Sequence, residues 1–176
     1  MEHHDRLRRL SRRVYRFGVG VGVVSTMIAL LRWFVLDDPN LLPPTIATYV
    51  KPGSMTMGHR LSGFVIELIP LTPALCALAT LYGICSDYNR GILFGRLTGK
   101  QYRKLGICLA LLGLANGLYT TLIIGSFSLL DNRGLLLAFG LSTSDLYLIV
   151  VGGAVTMLGV VMDEAFRIHE ENSQII

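Results

Sequence analysis

Four long apolar stretches constrain this chain more than any other feature. They run from about Val14 to Leu36, Leu61 to Cys85, Leu105 to Phe127 and Ser142 to Met162. A helix needs about 20 residues to cross the hydrocarbon core of a bilayer, and each stretch reaches that length. Only 16% of the 176 residues are charged and 52% are hydrophobic, where a soluble domain is about a quarter charged. The expected fold is all-α. It is a single integral membrane domain over 1–176 with four transmembrane helices, outward loops at 37–60 and 128–141, and a cytoplasmic loop at 86–104.

Orientation follows from where Lys and Arg fall. Arg6, Arg8, Arg9, Arg12, Arg13 and Arg16 precede the first apolar stretch. Arg90, Arg96, Lys100, Arg103 and Lys104 lie between the second and third. The other two connections hold only Lys51, Arg60 and Arg133, with Arg32 near a helix end. Both termini and the middle loop are therefore expected in the cytoplasm. "SRRVYR" has the look of a twin-arginine signal, but no small-residue cleavage site follows. A retained first helix is expected. The pairs Thr98/Gln101 and Ser142/Asp145 have capping-box spacing before the third and fourth helices. Pro39, Pro43, Pro44 and Pro52 argue against a long helix in 37–60.

The second half of the chain has a distinctive order of features. "YNRGILFGRLTGKQYRKLG" is a short basic loop of Gly-x-x-Phe form (Gly91, Phe94), and Leu105–Gly106 opens the next helix. A Ser/Asp-capped last helix then ends in the acidic Glu170, Glu171 and Asn172. Over about 85–175 this resembles the DUF2975 family of bacterial membrane proteins; the first half is similar only in hydropathy. The resemblance implies four membrane helices in a bacterial inner membrane and a genomic pairing with a small helix-turn-helix regulator. It implies no catalytic residues.

Glu67 is the sharpest candidate for function. It lies six residues after Leu61, about 9 Å into the membrane. An acidic residue at the centre of a membrane helix costs about 2.5–3.5 kcal/mol, and Phe64, Val65, Ile66, Leu68 and Ile69 recover much of that. Glu67 should therefore face the other helices. Arg32 falls at similar depth on the antiparallel first helix. Arg60 is one heptad before Glu67, and Asp145 enters the same layer from the fourth helix. These four residues form a candidate polar cluster with Arg32–Glu67 as its main pair. It serves either to hold the helices together, to bind a ligand or ion, or to move protons. Arg32 beside Trp33 also suits simple snorkelling to the headgroups.

Pro70 and Pro73 follow Glu67 and suggest either a shaping kink or a carbonyl-lined hinge. Asn116 has the chemistry to bond across helices. Gly18, Gly22, Gly113, Gly117, Gly152 and Gly153 permit close helix packing. Cys76, Cys85 and Cys108 have no metal-ligand spacing and read as small buried hydrophobes.

No nucleophile–base set, phosphate loop or zinc motif is present in the sequence. No catalytic residue, metal or cofactor is therefore expected, and an enzyme is the least favoured class. The first expectation is a regulatory or interaction protein acting on a cytoplasmic partner such as a helix-turn-helix regulator. The alternative is a small oligomeric transporter, channel or ligand sensor built on Glu67. The partners this suggests are membrane lipids, a cytoplasmic protein and further copies of the chain. Direct contact with nucleic acid is not expected.

Overall fold

The computed structural model describes residues 2–34, 56–89, 96–131, 134 and 140–173. They form four helices: α1 Glu2–Phe34, α2 Met57–Asn89, α3 Arg96–Leu130 and α4 Thr143–Ser173. Each has 31–35 residues, or about 47–53 Å of helix. That exceeds a hydrocarbon core of about 30 Å. All four contain a segment long and apolar enough to cross a membrane. The chain has the architecture of a multi-pass membrane protein.

α2 and α3 outlast their apolar stretches at both ends, α1 at its start and α4 at its end. Arg, Lys, Glu and Gln are good helix formers, so a polar flank continues a helix that an apolar stretch has begun. The expected loop 86–104 is helical at 86–89 and 96–104. The segment before Val14 is also helical, as is 163–173. α3 already begins at Arg96, so Thr98 lies inside the helix rather than at its N-terminal cap. Gln101 instead donates its amide to Asp87 Oδ2 across the α2–α3 interface, at 2.8 Å. Pro39, Pro43, Pro44, Pro52, Gly91 and Phe94 lie outside the described residues.

Packing follows chain order: α1 on α2, α2 on α3, α3 on α4, with the last interface the most extensive. Among the described residues, no other pair of helices makes more than marginal contact. The bundle is thus open between α1 and α4 among the described residues. Large apolar side chains on both outer helices point away from the protein, among them Val23, Val24 and Met27 on α1 and Val150, Met157 and Val161 on α4. An apolar surface this broad is incompatible with water and suits lipid.

Close backbone approach explains why α3 and α4 pack so extensively. Gly99, Gly106 and Gly113 recur every seven residues on α3, facing Gly159, Gly152 and Asp145, which share that spacing on α4. A Cβ on Gly106 would lie 2.4 Å from the carbonyl oxygen of Gly152, and one on Gly152 would lie 2.6 Å from that of Gly106. A seven-residue stripe is the repeat of a left-handed antiparallel pair. Gly117 receives Leu141, while Gly18 and Gly22 receive Leu78 from α2. Gly153 is one helical position (about 100°) off the stripe, and among the described residues nothing lies within 4 Å of a Cβ there beyond its own helix. Cys85 and Cys108 are buried. Cys76 is exposed, contrary to expectation, on a part of α2 that faces outward.

Candidate functional site

The polar residues gather where α1 and α3 end and α2 and α4 begin. Trp33 organises them. It is 1% exposed and packs with Ile123 and Phe127, flanked by Phe64, Ile66 and Tyr119. Its ring meets Phe127 edge-on at 6.1 Å. Gly63 makes room for it, since a Cβ there would lie 2.3 Å from the indole. The indole is thereby held with its one donor aimed at α2.

That donor, Trp33 Nε1, hydrogen-bonds Glu67 Oε2. The other oxygen, Oε1, faces Arg32 Nη1 at 3.4 Å. Both carboxylate oxygens are thus engaged from α1, one by a neutral donor and one by a charge. Neither side chain is fully enclosed: Arg32 is 22% and Glu67 14% exposed. Tyr119 reaches the same place from α3. Its hydroxyl is buried beside both charges. A groove of about 590 Å³ runs along the outer face of α1 from Arg16 to Arg32, and Glu67 lines its end.

Asp145 does not join this pair. Asp145 and Asn116 belong to the α3–α4 interface, whereas Arg32 lies on α1, which packs on α2. Asn116 Nδ2 donates to Asp145 Oδ1 at 3.0 Å. Oδ2 accepts from the backbone N–H and the hydroxyl of Ser142, each at 2.9 Å, and the Asp145 N–H returns to Ser142 Oγ at 3.3 Å. This is a complete capping box. Its position explains the third partner. Asn116 lies 14 residues before the end of α3, about 21 Å along the helix. α4 therefore begins well within the depth of α3, and the capping box satisfies free N–H groups of its first turn.

A third group was not legible in the sequence. His59 is 4% exposed in the first turn of α2. Its Nε2 faces Asp131 Oδ1 at 3.3 Å, its Nδ1 meets the Thr56 hydroxyl at 2.7 Å, and its ring stands edge-on to Phe127 at 4.9 Å. The tautomer protonated at Nε2 satisfies all of these contacts. Thr56 N–H also points at Nδ1, at 3.4 Å, so His59 fills the role that Glu or Gln plays in a capping box. The clue was the Thr-x-x-His spacing at 56–59. Asp131, 72 residues away, gave no sequence signal.

Arg60 is half-buried beside His59, seven residues, or about 10 Å, from Glu67. α2 runs without interruption through Pro70 and Pro73. The prolines remove the N–H donors to the carbonyls of Ile66 and Ile69. At the opposite end, Tyr88 and Tyr102 share a 3.0 Å hydrogen bond. Arg103 approaches Asp163 at 3.8 Å, which ties the basic start of α3 to α4. Among the described residues, no group of three His, Cys, Asp or Glu side chains could hold a metal.

These features define a class: a largely apolar protein of four long membrane-spanning helices with polar groups bonded between neighbouring helices. The chain matches no family model, no curated protein and no solved structure.

Proposed function

We propose that the chain is a DUF2975-like regulatory or interaction protein of the bacterial inner membrane, and that its termini-bearing end engages a cytoplasmic protein such as a helix-turn-helix regulator. One observation carries this reading. α4 continues as helix for 11 residues beyond Met162, to Ser173, about 16 Å past the apolar stretch. This extension is largely exposed and braced by Arg167, which pairs with Glu164 at 2.6 Å and Glu171 at 3.7 Å. A self-braced charged helix has no need of the membrane, and Ile168, half exposed within it, offers an apolar anchor. The helical start of α1, with its arginines, leaves from the same end.

A photo-crosslinking side chain placed at Ile168 in native membranes tests the proposal. A discrete adduct with one soluble protein is the expected result. Adducts with lipid or with the same chain alone would count against it.

A second reading, a carrier, channel or ligand sensor, is favoured by the incompletely enclosed Arg32–Glu67 pair at the end of the α1 groove. Ligand binding or reconstituted flux that is unchanged in Glu67→Gln would remove it.

A further inference from the structure

The groove on α1 combines two properties. Its wall is apolar along Val21, Val24 and Ile28, and one end carries both a cation and an anion, Arg32 and Glu67. We infer that it is a binding site for a zwitterionic aminophospholipid. The phosphate sits on Arg32, the primary ammonium on Glu67, and one acyl chain lies along α1. The site gives the second reading a ligand class and stands apart from the partner reading.

Length supports this occupant. Val21 lies 11 residues from Arg32, about 16 Å along the helix. One leaflet contributes about half of a 30 Å core. A chain whose phosphate is at Arg32 therefore ends near Val21, beside Gly20, where no side chain among the described residues lies within 4 Å of a Cβ position, and the groove continues past it to Arg16. Ser25 is the one uncharged polar side chain on that wall.

Charge selects the headgroup. The Arg32–Glu67 contact uses one guanidinium nitrogen at 3.4 Å, which is loose for a charge-assisted bond. A guanidinium has five N–H donors and a carboxylate has about four acceptor sites, so both groups have capacity left. A primary ammonium donates hydrogen bonds to Glu67, whereas the quaternary ammonium of a choline lipid has no N–H to give. An anionic lipid without an ammonium satisfies Arg32 and sets its phosphate against Glu67. A second copy of the chain brings an Arg32 and a Glu67 already paired with each other, so the charges give it no added attraction.

The test uses the full chain in nanodiscs of equal phosphatidylethanolamine, phosphatidylcholine and phosphatidylglycerol, with lipid retained on mild extraction counted by native mass spectrometry. Phosphatidylethanolamine should be enriched over phosphatidylcholine by about fivefold, the ratio expected for one added polar contact. Glu67→Gln should bring that ratio to the bulk value and raise the share of phosphatidylglycerol. Val24→Trp fills the groove without touching the charged pair, so it tests the site even if Glu67→Gln fails to fold. It should remove most of the retained lipid at unchanged helicity. Retained lipid in bulk proportions for the unaltered chain would overturn the inference. So would enrichment that survives both substitutions, or efficient Val24→Cys self-crosslinking in native membranes, which would put a second copy in the groove.

Discussion

Replacing Glu67 by Leu leaves the Arg32 guanidinium half-buried beside the indole, with no carboxylate at 3.4 Å. Arg32 can recover part of the loss by snorkelling to the headgroups. The expected destabilisation is therefore moderate, about 1–3 kcal/mol. Removing both charges in Arg32→Leu/Glu67→Leu takes away the unpaired cation as well, and such exchanges are often neutral or stabilising. Thermal unfolding in detergent should show the single substitution melting well below the double. If the two melt alike, the pair has no coupling and the polar contacts of Glu67 run through Trp33 alone. Trp33→Phe isolates that remaining contact. It keeps most of the core packing against Ile123 and Phe127 but deletes the only donor to Oε2 among the described contacts. A loss of about 1.5–3 kcal/mol is expected for a hydrogen bond to a charged group, read from the same melting curves.

Between helices, backbone contact along the α3–α4 stripe dominates. Gly106→Leu drives a side chain into the backbone of α4, where even a Cβ would lie 2.4 Å from an oxygen. Overpacking of this kind costs about 1–3 kcal/mol or more. Gly153→Ala adds its methyl group to open space and should be neutral or stabilising by up to about 1 kcal/mol, because alanine is the better helix former. The ordering of the two melting temperatures checks the stripe. Asp145→Ala should loosen the start of α4 by about 0.5–2 kcal/mol, with faster amide exchange confined to residues 143–148. At this scale the sequence was informative about elements and less so about partners. Apolar length identified all four helices, and depth counting put Arg32 level with Glu67, which the structure pairs. The same counting grouped Asp145 with them, because depth says nothing about which neighbour a helix packs against. The helix ends were misjudged because Arg, Lys and Glu continue a helix past the membrane edge. His59–Asp131 was missed because tertiary proximity, not spacing, joins them.

For the whole molecule, the open edge between α1 and α4 and the distribution of charge bear on how the chain sits in a membrane. Arginine gathers before Phe17 and lysine and arginine between 96 and 104, both at the end where α1 starts and α4 finishes. The opposite end holds His59, Asp131 and the short polar start of α2. The positive-inside rule then predicts the termini in the cytoplasm. Single-cysteine reporters read this directly, in a background where Cys76, Cys85 and Cys108 are replaced by Ala. Met57→Cys, at a position 69% exposed at the start of α2, should react with a membrane-impermeant maleimide in intact spheroplasts. Glu171→Cys, on the exposed extension of α4, should react only after lysis. The reverse pattern would put the α4 extension outside, where no cytoplasmic regulator could reach it, and would end the partner reading. The lipid site would survive that result, because Arg32 and Glu67 would meet a zwitterionic headgroup from either leaflet.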